Sequence, residues 1–425
     1  MGEDSARLRP ADVHPSSLVP PVPELVTRFA ALWSEGGDGH PDLGRTFTRR
    51  ERSGKEKVLA RFVEALRAET KRSPLTPSGR EASEKRIFGA FGRFAREALD
   101  WQDRHIDILM GGGFDRGATE FVRMAREFAP GTSSGDVFQA CRNVWVANGL
   151  QRLLGLPVRL TPAIFAYSLL YPVTDNYLDD PAATDETKQA FSSRLRSRLE
   201  GRDVAPANPR ERTIFDLVSM IEGDFTRIGN PQVFESLIAI HEAQVKSLRL
   251  LRSEGLRTEE EIVAISLEKG GASVLADGCL VSGSLAAGQV EFLFGFGAHL
   301  QLMDDLEDVI EDGEAGLRTV FSRSAGREPL DAVTDRLFRF GARVLEGLDG
   351  FGGPDAEPLR ELVRSSLSQG VVSTAGRFKQ LYTRSYLKAL EAHSPFRFSF
   401  NNRQRRKLLR RRAAFARLFE SFAQS

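Results

Sequence analysis

The sequence predicts an all-α fold, and three observations carry that prediction. Long stretches free of proline repeat apolar side chains at helical spacing. Gly, Pro and Asp gather in the short joints between them. No succession of short, alternating β-branched runs marks a strand, and no Gly-rich turn follows one, which excludes a dinucleotide fold and a P-loop.

Along the chain, Met1 to about Pro23 mixes Pro, Ser, Asp and Arg with little apolar periodicity and reads as a flexible leader (1–23). Segments 24–35, 55–71 and 81–109 then carry helical periodicity, which predicts an N-terminal helical extension over 24–110. Met110-Gly111-Gly112-Gly113 closes it, and 111–394 reads as the main domain, an all-α bundle of longer helices. From 395 to 425 an Arg/Lys cluster, Arg403 to Arg412, precedes Phe415, Leu418, Phe419 and Phe422 at helical spacing, the pattern of a basic amphipathic helix. Docking of its apolar stripe on the bundle is the reading carried here; attachment of 403–422 to an anionic membrane surface is the alternative.

Composition narrows the function classes. With 425 residues and 41% hydrophobic side chains, the chain can bury one large core or two modest ones. Lys plus Arg (59) and Asp plus Glu (58) cancel, so no global field favours nucleic acid as a partner. Cys141 and Cys279, the only cysteines, fall inside apolar helical patterns, against a disulfide framework or a cysteine metal site; a reducing cytoplasm is expected. Neither a signal peptide nor a transmembrane helix is expected.

The chemistry-bearing signal is acidic. From Gln301 to Asp312, six of twelve residues are Asp or Glu, directly continuing an apolar helix that begins near Gln289. On one helix, Asp304, Asp308 and Asp312 stand at i, i+4 and i+8, so their carboxylates share a face and repel one another unless cations bind. Mg²⁺ takes one or two carboxylates together with water and substrate phosphate, which such a face offers. A second cluster, Asp175-Asn176-Tyr177-Leu178-Asp179-Asp180, closes the helix starting near Pro162, with Asp175 and Asp179 on one face; a capped helix end before a proline stop is its other reading. Lys269, Ser273 and Asp277 share a helical face, and Gly270, Gly271 and Gly278 allow close helix approach. Asp277 reads first as a hydrogen-bonded core or surface acid and second as a group steering or deprotonating a carbocation. His241 reads as structural, Arg318 as either a surface arginine or a diphosphate contact, and Asp100, Asp103 and Asp107 with Arg104 and His105 as a solvated helix face.

Four stretches, in order, resemble the trans-isoprenyl diphosphate synthase branch of the class I isoprenoid synthase superfamily. Asp175-Asn176-Tyr177-Leu178-Asp179 resembles the first aspartate-rich motif with its second Asp replaced by Asn. Ala243-Gln244-Val245-Lys246-Ser247-Leu248 is similar to a degenerate Gly-Gln-x-x-Asp-Leu helix, and Glu268-Lys269-Gly270-Gly271-Ala272 to the Lys-Thr-Gly-Ala segment. Gln301 with Asp304, Asp305 and Asp308 resembles the second aspartate-rich motif. The resemblance implies the isoprenoid synthase helical bundle and three Mg²⁺ ions bound with substrate diphosphate by Asp175, Asp179, Asp304, Asp305, Asp308 and Asp312. It further implies diphosphate contact by Lys269, substrate contacts from Gln244 and Gln301, and a chain-length floor at Tyr171; Arg318 joins the candidate substrate contacts by its position just past the second acidic row. Two departures from chain-elongating relatives matter: Pro181-Ala182-Ala183-Thr184 stands where an Arg pair is expected, and Met110 to Arg116 lacks the lysine of a Gly-Gly-Lys segment. A second diphosphate would lack its cationic cradle. The expected activity is therefore that of a terpene synthase acting on one all-trans allylic prenyl diphosphate. The terpene synthase Asn-Ser-Glu triad is absent by identity, though its spacing is reproduced by Asp304, Asp308 and Asp312. A prenyltransferase (chain-elongating or head-to-head) and a non-catalytic synthase-like partner subunit are the alternatives, and a homodimer is left open.

Overall fold

The computed structural model describes residues 17–35, 43–72, 76–111, 113–178, 180, 182–251, 258–353 and 356–422. Among these residues the secondary structure is all helical, with no strand. The helices are α1 (Val22–Ser34), α2 (Arg49–Arg72), α3 (Pro77–Leu99), α4 (Asp103–Met110), α5 (Phe114–Phe128), α6 (Ser134–Leu153), α7 (Pro162–Leu178), α8 (Asp185–Leu199), α9 (Pro209–Asp224) and α10 (Pro231–Ser247). They continue as α11 (Glu259–Ser282), α12 (Ala287–Glu307), α13 (Val309–Ala315), α14 (Val320–Ser324), α15 (Asp331–Glu346), α16 (Ala356–Arg377), α17 (Arg384–Ala392), α18 (Phe398–Leu409) and α19 (Arg412–Phe422).

α11 is the axis of the main bundle. Thr258 caps it, accepting from the Glu261 N–H, and Gly283 at φ +77° ends it in the left-handed region that glycine tolerates. Between those ends it is buried on nearly all sides, because α6, α7, α10, α12 and α1 surround it. Its closest neighbour is α12. A methyl group at Gly270 would overlap the Gly297 carbonyl oxygen and Gln301 Cβ, and one at Gly297 would overlap the Gly270 carbonyl. Gly271 and Gly278 face Phe294 and Leu293 of α12 in the same way, so the two backbones approach as only glycine allows. α15 and α16 flank α12 on its other side, and α9 covers α7.

The domain boundaries differ from the sequence reading at both ends. α1 belongs to the main bundle and not to the extension: Phe29 packs on Phe294 at 5.7 Å and Trp33 on Phe340 at 5.9 Å between ring centroids. The segment read as leader is anchored from Ser17 onward, where the Ser17 and Leu18 N–H groups donate to Glu235 (2.9 and 3.1 Å) and Leu18 is buried. Residues 1–16 lie outside the described residues. Helical periodicity over 81–109 is split at Asp100, whose backbone turns left-handed at φ +60°. On the face read as solvated, Asp100, Asp103, Arg104 and Asp107 are exposed while His105 is buried, and Glu361 of α16 pairs with Arg104 and His105 at 2.9 and 2.7 Å.

The basic C-terminal segment is two helices, α18 and α19. Phe396, Phe400 and Leu408 join Leu59, Val63, Phe94 and Ala98 in a second, smaller core, so α2, α3 and α18 are built together from both ends of the chain. Glu56 of α2 accepts from Arg397 at 2.6 Å. No helix among the described residues is long and apolar enough to cross a membrane.

Because Gly297 meets backbone and not a movable side chain, Gly297→Ala is expected to cost about 2–3 kcal/mol by forcing α11 and α12 apart. Urea unfolding checks it; a wild-type midpoint would show that the crossing tolerates a methyl group.

Candidate functional site

Three separated acidic or basic segments meet at one end of the bundle. Asp175 lies in the last turn of α7 and Lys269 midway along α11, just before the glycine that contacts α12. Their side chains pair at 3.0 Å, each only 18% exposed, across 94 residues of sequence. Asp304, Asp305 and Glu307 occupy the last turn of α12, about two to three turns beyond the Gly297 crossing, on the side of Lys269.

The row from Asp304 to Asp312 does not lie on one continuous helix. α12 stops at Glu307, Asp308 leaves helical geometry (φ −103°, ψ 14°), and α13 restarts at Val309. The macrodipole explains the break: carboxylates at a helix C-terminus oppose its partial negative charge, and no basic residue stands in the last turn of α12. Restarting at Val309 moves Glu311 and Asp312 into a first turn, where acids are favoured.

The carboxylates remain mutually close after the break. Burial pushes Asp312 up to about 7, aided by the charges of Asp305, Asp308 and Asp304. Partial desolvation, then Asp304, Glu311 and Glu307, raises Asp308. Burial also pushes Asp305 up to about 7, against the lowering effect of hydrogen bonds from Gln301 and Ser266. An acidic cluster of this kind holds protons or cations near neutrality.

Side-chain directions sort the residues singled out by sequence. Asp304 faces the mouth, with Arg142 of α6 at 3.5 Å. Asp305 turns inward: its two oxygens accept from Gln301 Nε2 (2.8 Å) and Ser266 Oγ (3.0 Å), so both Asp305 and Gln301 are committed to the α11–α12 interface. Gln244 is likewise turned away from a substrate, accepting from Thr174 Oγ1 (3.1 Å) and donating to the Tyr171 carbonyl (3.2 Å), which braces the helix carrying Asp175. Tyr171 sits one turn below Asp175, with its ring centroid 6.4 Å from that of Tyr167. Asn176 looks the other way, into a separate 290 Å³ cavity with Phe128, Thr132, Pro172 and Arg210. Arg318 lies beyond α13, its N–H donating to the Leu250 carbonyl at 2.9 Å. His241 is buried, with Nε2 3.0 Å from the Ser192 carbonyl, and burial pushes it down to about 4. Asp179 falls outside the described residues.

Two arginines at this mouth carried no sequence signal. Arg142 is one, and Arg377, closing α16 3.6 Å from Glu311, is the other. Arg405 of α18 faces Glu307 and Glu311 as well, with burial and then Arg377 pushing its pKa down. Only the fold brings residues so distant in sequence to one rim.

Among the described residues no three His, Cys, Asp or Glu side chains form a ready cage for a metal ion. The donor set nevertheless suits Mg²⁺, which is held by one or two carboxylates completed by water and phosphate. No family model, no curated protein and no solved structure matches the chain.

The raised acids set a pH dependence. Asp305 and Asp312 titrate near 7 when folded and near 3.9 when unfolded, so between about pH 4 and pH 7 the folded state holds more protons. Stability in chelator is therefore expected to fall as pH rises through that window. Added Mg²⁺ should raise the melting temperature more at about pH 8 than at about pH 5. Melting curves with EDTA and with Mg²⁺ check this, and an Mg²⁺ effect independent of pH would detach the metal from these carboxylates.

Proposed function

We propose that the chain is a Mg²⁺-dependent class I isoprenoid synthase with the isoprenoid synthase helical bundle, acting as a terpene synthase on an all-trans allylic prenyl diphosphate. The observation that carries the reading is the convergence of Asp175, Lys269 and the Asp304 to Asp312 run at one end of an apolar bundle. A cytoplasmic enzyme is part of the same proposal.

The chain's own residues supply most of the chemistry. Asp304, Asp308 and Asp312 on one wall and Asp175 on the other would hold Mg²⁺, which neutralises charge on the leaving diphosphate. When the carbon–oxygen bond breaks, negative charge develops on the diphosphate oxygens, and the largely buried Lys269 ammonium stabilises it in a medium of low dielectric. Arg142 and Arg377, each beside an acid of the Asp304 to Asp312 run, add cationic contacts at the rim for the anion. Tyr171, Leu300 and Met303, partly buried against the core, would give the hydrocarbon apolar contacts.

Asp304→Ala and Lys269→Ala are each expected to lower kcat/KM on the order of 100-fold, with folding retained. The check is diphosphate release from farnesyl or geranylgeranyl diphosphate in saturating Mg²⁺; rates within a fewfold of wild type would remove the residue from the site. Running the same assay with and without isopentenyl diphosphate separates a terpene synthase, which makes hydrocarbon or alcohol from one substrate, from a prenyltransferase.

Tyr171→Ala removes a ring one turn below Asp175 and is expected to shift preference from farnesyl toward geranylgeranyl diphosphate about tenfold. Unchanged relative kcat/KM values in a folded variant would place the floor elsewhere.

A further inference from the structure

Asp277 is a buried acid that the ionisation step does not use. It stands eight residues beyond Lys269 on the same face of α11, about 12 Å deeper at 1.5 Å per residue. Ser273 lies between them, and from Gly270 to Leu280 it is the one residue of α11 that is not buried. On this face partial exposure thus extends from Lys269 as far as Ser273, one turn short of Asp277.

The surroundings of Asp277 come from two other helices. Asn143 Nδ2 of α6 donates to Asp277 Oδ1 at 2.8 Å and lies 3.3 Å from Ser168 Oγ of α7. Tyr167, also on α7, is a titratable neighbour, but its hydroxyl is spent on the Ser273 carbonyl at 3.0 Å. Asp277 Oδ2 is fully buried and has no hydrogen-bond partner. No cation stands among the groups that shift it; burial raises it well above the usual carboxylate range, and Asn143 opposes only part of that.

This is an unusual way to fill a core position. A buried carboxyl with one amide donor and no cation rests in its protonated form. Since Oδ1 accepts from Asn143, the proton resides on Oδ2, the oxygen without an acceptor. Leaving that O–H unbonded costs about 1–3 kcal/mol that an apolar side chain would avoid. An alkene at the foot of the site would offer the missing acceptor, its π electrons.

We propose that Asp277 is the acid–base residue of the reaction inferred above, acting on a neutral alkene intermediate after diphosphate has left; the inference rests on that reading. The Oδ2–H bond breaks as the π pair of the alkene forms a C–H bond, leaving a carbocation on the neighbouring carbon and a carboxylate on Asp277. The Asn143 N–H steadies that carboxylate at Oδ1. When the rearranged cation loses a proton from an adjacent carbon, the C–H pair becomes the product double bond and the proton returns to Oδ2. The acid is regenerated; the proton lost earlier, when the first cation became the neutral alkene, passes to the departed diphosphate, so no further reactant is needed. Asn143 acts as the positioning residue, fixing which oxygen carries the proton.

The test uses the full chain in D₂O with Mg²⁺ and geranyl, farnesyl or geranylgeranyl diphosphate, measuring diphosphate release and, by mass spectrometry, deuterium in the hydrocarbon. Wild type is expected to place one deuterium in its product. Asp277→Asn should cut deuterium incorporated per diphosphate released at least about tenfold and yield an alkene from an earlier stage. Asn143→Leu, which keeps the acid but frees it to turn, should lower the labelling ratio less and spread the label over more than one carbon. Diphosphate release with an unlabelled wild-type product overturns the role of Asp277 and leaves the class I reading standing, as does an unchanged labelling ratio in Asp277→Asn. Absence of diphosphate release from all three substrates overturns both. Should Asp277→Asn fail to fold, the wild-type label alone decides.

Discussion

The close passage of α11 over α12 at Gly270 and Gly297 governs where everything else can stand. Without side chains at the crossing, the helices touch through their backbones, and every residue within two turns inherits a fixed position. Lys269 precedes that contact and the last turn of α12 follows it, so lysine and acids meet at one rim. Ser266 then reaches Asp305 across the same interface, where Gln301 already occupies the other carboxylate oxygen. A wider crossing would break the Ser266 bond and leave one oxygen of a buried acid unpaired, a penalty beyond the lost contact area.

Much of the fold was legible because periodicity and punctuation agree locally. The starts near Pro162 and Gln289, the stop at Met110 and the buried cysteines follow from apolar spacing and from Gly and Pro at joints. Assignment of segments to one core or another was not legible in the same way. α1 has the spacing of any amphipathic helix, and only Phe294 and Phe340, more than two hundred residues away, decide that it joins the main bundle. The acidic row was legible as chemistry but not as geometry. Its i, i+4, i+8 spacing presumes a straight helix, whereas the unfavourable dipole at the end of α12 breaks it at Asp308.

Within the site, sequence named the residue types well and their directions poorly. Asp304 and Asp305 are neighbours in one motif, yet successive helical positions point about 100° apart, so one faces Arg142 and the other is locked against Ser266. Gln244 shows the same limit: a polar residue on an apolar helix reads as a ligand contact until its partners prove to be the backbone and hydroxyl of α7. Arg142 and Arg377 had no motif to flag them, because an arginine on a charged helix face is ordinary until the fold sets an acid opposite it.

The placement of Arg405 also bears on the two ends of the chain. α18 is held by Glu56 and Arg397 and by Phe400 and Leu408 against α2 and α3, so the N-terminal hairpin positions a C-terminal helix. That helix in turn brings Arg405 toward Glu307 and Glu311 at the acidic rim. A basic cluster that could equally serve a membrane surface is thereby partly engaged with the chain's own carboxylates, and Lys407 near Glu64 at 3.5 Å extends the engagement. Charges committed in this way contribute less to a long-range attraction, since the paired field decays within about one Debye length. Of the apolar stripe, Leu418 is buried, and Leu408 of α18 packs on the second core. What the extension contributes to the bundle is thus a second wall for the rim, assembled from segments far apart in sequence.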